Sequence, residues 1–209
     1  MNTIDFGLFT NEYVVVVAVI IVGLIFFGII LFNADIHIES EQKRAGRHGE
    51  RIATHVISEV LNGNDVLFTN VCLSYEGKET ELDNVIVNNR GVFIVEVKNY
   101  NGVLSGDEDD FYWDKSKYTD SGNFYQKQVK NPIKQVKRQV YILKSILQQN
   151  GIDVWVEGYA FLLERNSPVE SPMILESRKD IHEAIHVKTN ARLSNEQKER
   201  IVEIIASFI

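Results

Sequence analysis

Residues 81–100 read ELDNVIVNNRGVFIVEVKNY. Two β-rich runs, 83–87 and 92–98, flank Asn88-Asn89-Arg90-Gly91, which predicts a hairpin. A two-residue loop at Asn89-Arg90 pairs Asn88 with Gly91. A four-residue loop pairs Val87 with Val92. Both give one register, and in it Asp83 falls opposite Glu96. A three-residue loop would break that register. Glu96 and Lys98 stand two apart on one strand, so they share a face.

Directly opposed side chains have Cβ atoms about 4.5–5.5 Å apart, and two carboxylates there repel each other. A divalent cation between them removes the conflict. Mg²⁺ (or Mn²⁺) suits such a site, because hard cations take one or two carboxylates plus phosphate oxygens and water. A lysine beside the cation can orient its water, stabilise the deprotonated form or offset phosphate charge. The chemistry indicated is phosphodiester hydrolysis. The alternative is an exposed sheet face on which Lys98 offsets two acids. The Glu-x-Lys triplet alone decides nothing, since it recurs at Glu41/Lys43, Glu76/Lys78 and Glu196/Lys198.

Outward from the hairpin, residues 50–61 carry apolar side chains at helical spacing and stop at Asn62-Gly63-Asn64. Residues 66–73 read as a strand, and 103–113 as a pair of short strands around Ser105-Gly106-Asp107. Asn131-Pro132 opens a helix with the stripe Ile133, Val136, Val140, Leu143 and Leu147, ended by Gly151. Residues 154–163 form an apolar strand, and Ser194 with Gln197 caps a last helix facing inward through Ile201, Ile204, Ile205 and Phe208. The order predicts an α/β fold: a mixed sheet flanked by helices.

The net charge of −7 excludes general nucleic-acid binding through bulk charge. A local basic face is needed, and the stretch between Asp120 and Asp153 contains no acid. Within it Lys130, Lys134 and Arg138 are candidate nucleic-acid contacts; a solvated helix face is the alternative. Tyr112, Trp113 and Tyr118 are candidates for stacking on bases, or for core and loop packing. The single cysteine, Cys72, excludes an internal disulfide and a Cys-based zinc site. Its apolar neighbours predict a buried thiol. His48, His55, His182 and His186 lack a zinc-binding spacing.

Residues 13–32 form a run of about 20 without a charge, enough for a helix to span a bilayer. The run lacks the basic lead and small-residue end of a cleaved signal peptide. Lys43, Arg44 and Arg47 follow it and no Lys or Arg precedes it, which places the N-terminus outside and the domain in the cytoplasm. The predicted organisation is an extracytoplasmic segment 1–12, a single membrane span 13–32, a connector 33–43 and a domain 44–209.

The segments Gly46-Arg47-His48-Gly49-Glu50, Glu81-Leu82-Asp83-Asn84, 91–100 with Gly102, and Asn131-Pro132 with Gln135 resemble, in that order, the nuclease-related domain, NERD. That domain is similar to the PD-(D/E)XK, restriction-endonuclease-like nucleases. The resemblance covers roughly residues 46–163. It implies a restriction-endonuclease-like sheet with Asp83 and Glu96 as metal ligands, the Val97 carbonyl facing the metal, and Lys98 as the catalytic lysine. It further implies Glu50 as another acid and Gln135 as the glutamine of an Asn-Pro-x-x-Gln segment. Asn84 departs from the histidine the family often carries there. The expectation is a membrane-anchored, metal-dependent nuclease acting on DNA or RNA. The alternative is a non-catalytic module that binds nucleic acid or protein at the membrane.

Overall fold

The computed structural model describes residues 11–119, 121–188 and 192–209. The chain divides into two compact units, Met1–Ala45 and Gly46–Ile209. In the first, the described residues are the leading part of helix α1 (Asn11–Ser58). The apolar side chains described there, Val16 and Val19 to Phe27, are exposed. Among the described residues no helix is long and apolar enough to cross a membrane. The side chains at 13–15, 17–18 and 28–32 of the predicted span lie outside the described residues.

The second unit is a mixed α/β fold. Strands β1 (Val66–Tyr75), β2 (Lys78–Asn88) and β3 (Gly91–Lys98) form an antiparallel meander. A small sheet follows: β4 (Val103–Ser105), β5 (Tyr112–Tyr118) and β6 (Phe124–Lys130). Helix α2 (Pro132–Gln149) then leads to β7 (Val156–Leu162), which pairs parallel with β3. A parallel pair needs such a long crossover. Strand β8 (Ile174–Leu175) completes the main sheet in the order β1-β2-β3-β7-β8. The sheet is mixed and flanked by helices, as predicted.

Alternation along the strands decides which helix covers which face. Val85, Val87, Val92 and Ile94 share a core with Ile142 and Leu147 of α2 and with Ile201 and Ile205 of α4 (Asn195–Ala206). Ile86, Phe93, Val95 and Val97 pack on the other face against Ala53 and Ile57 of α1 and Ile181 of α3 (Arg178–His186). The capping box at Ser194 and Gln197 is present, and Asn131 caps α2 through its Oδ1, which accepts from Ile133 N–H at 2.9 Å. At the other end Ile152 N–H donates to Leu147 O at 2.9 Å around Gly151, whose φ is +73°. Helix α2 lies so close to β7 that a Cβ on Gly158 would come within 2.3 Å of Val136 Cγ1.

The hairpin has the predicted register. Asn88 pairs with Gly91 and Asn84 with Val95, around a loop of Asn89 and Arg90. One feature near it breaks simple alternation. Leu82 packs on the same face as Val85, and in β1 Val71 packs on the same face as Phe68. The β1–β2 ladder skips a pair there, between Thr69↔Asn84 and Val71↔Leu82. The residues at the break are Asn70, with a left-handed φ of +55°, and Asp83.

Two expectations are corrected. Residues 103–113 do not close on themselves around Ser105-Gly106-Asp107. Instead β4 pairs with the middle of β5, Val103 with Ser116 and Ser105 with Asp114. The intervening turn wraps the buried Trp113, whose Nε1 donates to Asp107 O at 2.9 Å. Strand β6 shows no apolar alternation, with only Val129 buried, so nothing in its sequence announced it. Cys72 is exposed, not buried. It lies on the edge strand β1 between Val71 and Leu73, and those two take the core-facing side.

Candidate active site where two adjacent strands part

The β2–β3 ladder runs as far as Asn84↔Val95. One step further, where the register sets Asp83 against Glu96, a side chain replaces the backbone. Asp83 Oδ2 accepts the Val97 N–H at 2.7 Å. Burial and the nearby Glu96 carboxylate push the Asp83 carboxyl up to about 7, with Glu50 adding to the rise and the Val97 N–H and Lys98 opposing it. The acids therefore sit near enough to repel, as the register implied.

Glu96 is 2% exposed and fully bonded. Its Oε1 accepts from Lys98 Nζ at 2.6 Å and from Gln135 Nε2 at 2.5 Å, and its Oε2 accepts from Gln139 Nε2 at 2.6 Å. Burial favours loss of the Lys98 proton, but Glu96, Tyr100 and Asp83 together outweigh it and hold the ammonium's pKa above its ordinary value. Burial likewise raises the Tyr100 phenol. Tyr100 OH donates to Lys130 O at 3.1 Å, tying the end of β3 to the end of β6.

Gln135 and Gln139 stand one helical turn apart on α2, so both amides reach the same carboxylate. Gln139 escaped the sequence reading. It is fully buried, donates a second bond to Glu81 O at 3.0 Å, and leaves its Oε1 buried without a partner. The available signal was its spacing of four from Gln135 on the border of the apolar stripe. Asn131 fixes where α2 begins. Its Nδ2 donates to Glu108 O at 3.0 Å and Asp110 O at 2.8 Å.

Glu50 belongs to the final turns of α1, and its neighbour Gly49 explains how they come close. A Cβ on Gly49 would lie 2.9 Å from the Asn99 Cβ, just past β3. Glu50 and Asp83 line one recess, with Arg47 and Arg51. Asn84 has a structural task where the family often has histidine: its Oδ1 accepts from Thr54 Oγ1 at 2.9 Å and its Nδ2 donates to Val95 O at 3.3 Å. Val97 turns its side chain into the α1-side core.

Lys130, Lys134 and Arg138 line a second recess of about 370 Å³, with Gln135 and the exposed Phe111 and Tyr112. They are not free cations in a row. Lys134 pairs with Asp109 at 3.0 Å, and Arg138 donates to Glu79 O at 3.0 Å. Tyr118 is also exposed, whereas Trp113 is core. Among the described residues no group of three or more His, Cys, Asp or Glu side chains could hold a metal ion unaided.

An uncharacterized protein of Bacillus anthracis is 22% identical over 187 residues, covering 86% of each chain. No solved structure matches this chain. The model of the nuclease-related domain matches residues 45–163, which contain Glu50, Asp83, Glu96, Lys98 and both glutamines. With more than half its length so matched, and with that order of segments around a mixed sheet, the chain belongs to the nuclease-related domain (NERD) family.

Proposed function

We propose that the chain is a metal-dependent phosphodiesterase of restriction-endonuclease-like architecture, acting on DNA or RNA and held at the cytoplasmic face of a membrane by residues 13–32. The observation that carries the reading is the adjacency of Asp83, Glu96 and Lys98 just past the last paired residues of β2 and β3, with Asp83 raised to about 7 by burial and the second acid. The donor set fits Mg²⁺ or Mn²⁺. Asp83 and Glu96 would hold the ion, with Glu50 and the Val97 carbonyl nearby, and two carboxylates suffice when phosphate and water fill the rest. A bound ion lowers the pKa of its water and polarises the phosphoryl oxygen.

The protein's own groups do the positioning. Lys98, charged and 2.6 Å from Glu96 Oε1, brings a cation to the place where charge builds on a phosphate. Gln135 and Gln139 set the orientation of Glu96. Lys130, Lys134 and Arg138 present the α2-side recess to a phosphate backbone, with Asp109 yielding Lys134 when a phosphate arrives. Among the described residues the apolar side chains from Val19 to Phe27 are exposed, which supports the membrane reading.

A second reading, a binding module that does not cut, has one observation on its side: three donors already fill both Glu96 oxygens. One assay separates the two. The full-length chain in detergent is given DNA and RNA with Mg²⁺ or Mn²⁺, beside Asp83→Ala and Lys98→Ala. Cleavage lost in both variants supports the enzyme. Cleavage that persists in both removes the site, and intact binding without cleavage in the wild type favours the second reading.

A further inference from the structure

The recess on the α1 side has a charge pattern that the carboxylates alone do not explain. Arg47 and Arg51 lie one turn apart on α1, both exposed, and line it together with Glu50 and Asp83. Among the described residues neither guanidinium has an ion-pair or hydrogen-bond partner. Like charges at this spacing weaken a helix slightly. Each arginine also carries a fork of donors matched to two phosphate oxygens. The opposite wall is the break in the main sheet. There Asn70, in its left-handed conformation, and Thr69 give the recess a polar rim beside Asp83. Its volume of about 490 Å³ admits a nucleotide.

We infer that Arg47 and Arg51 form a phosphate-binding subsite for the nucleic-acid strand, on the side of the carboxylates away from Lys130 and Arg138. This rests on the nuclease reading for its substrate class and adds a direction to it. Helices α1 and α2 cover opposite faces of the main sheet, so the two recesses approach the carboxylates from opposite sides. A strand gripped in both has phosphates before and after the bond at Asp83 and Glu96. The substrate is then the interior of a polynucleotide chain, not its last nucleotide.

The test is binding, read by fluorescence anisotropy of a labelled oligonucleotide on the full-length chain in detergent across a salt series. The paired variant Arg47→Gln/Arg51→Gln changes only exposed side chains, and an unchanged melting temperature verifies its fold. The expected result is an affinity about tenfold or more lower, with a salt slope shallower by about 1.5, the loss of two phosphate contacts. An unlabelled circular single strand competes as well as a linear one of equal length. Unchanged affinity and slope in the variant overturn the subsite, even if the wild type cleaves. A circle that fails to compete overturns the interior substrate. A wild type that binds, loses affinity in the variant, yet never cleaves leaves the subsite standing and sinks the nuclease reading. Loss of binding to anionic lipid vesicles in place of oligonucleotide assigns the arginines to the membrane and overturns the inference.

Discussion

Gln139 donates to Glu96 Oε2 at 2.6 Å from a fully buried position, while its own Oε1 has no partner. An unpaired buried acceptor is a standing cost, and it is tolerated here where it fixes a carboxylate. Gln139→Leu removes that cost but strands Glu96 Oε2 and Glu81 O, for a loss of about 1–3 kcal/mol in denaturant unfolding. Gln139→Glu sets a second carboxylate against Glu96. It is expected to destabilise more at pH 8 than at pH 5, where one of the two acids takes a proton.

Lys98 and Glu96 form an ion pair with side chains only 18% and 3% exposed. Removing one member of a buried pair costs about 3–5 kcal/mol, because the other charge is left without compensation. Lys98→Met and Glu96→Gln should each lose stability on that scale, and the double variant should lose less than their sum. A strictly additive cycle in urea titrations would show that the pair does not act as a unit.

Asp83 carries a pH dependence with a defined sign. Its carboxyl stands at about 7 in the folded chain against an ordinary value of 3.8. Between these values the folded state keeps a proton that the unfolded state has released. The contribution is fully present below about pH 4 and is lost as pH rises through about 7. With a chelator present, Asp83→Asn should flatten this part of the melting-temperature profile. Added Mn²⁺ should raise the wild-type melting temperature more at pH 8 than at pH 5, and an equal rise in Asp83→Ala would remove Asp83 from the proposed metal site.

Gly158 sets the height of α2 above the sheet. Gly158→Ala forces a methyl against Val136 and Val140 and should cost about 1–3 kcal/mol. The larger effect is expected on turnover, since the helix that must lift carries Gln135 and Gln139. Val136→Ala in the same chain should restore part of both, measured by melting and by nuclease rate.

The proposed membrane span predicts partition. The full-length chain should float with liposomes in a density gradient, and a chain lacking residues 1–32 should stay behind. A C-terminal reporter that functions only in the cytoplasm should be active.

Much of this was legible in the sequence because the hairpin is short-ranged. Asn89 and Arg90 leave few ways to close residues 83–98, so the register followed from the loop alone. The caps at Asn131 and Ser194 follow from local chemistry in the same way. What escaped depends on distant partners. Strand β6 exists because β5 offers a ladder, not because its own residues alternate. Gln139 acquires meaning only when β3 passes beneath α2. Cys72 sits among apolar neighbours, but the strand's edge position decides its exposure. The ion pairs of Lys134 and Lys137 with Asp109 and Glu108 join residues more than twenty positions apart, and a count of basic residues along one stretch does not see them.

The Asn131 side chain clasps the carbonyls of Glu108 and Asp110 at the foot of the helix whose next turn bears Gln135. The small sheet and the glutamine gripping Glu96 are thus geared together through one amide. A strand laid across Phe111 and Tyr112 would press on that clasp, and the Glu96 carboxylate would register the load before any phosphate reached it.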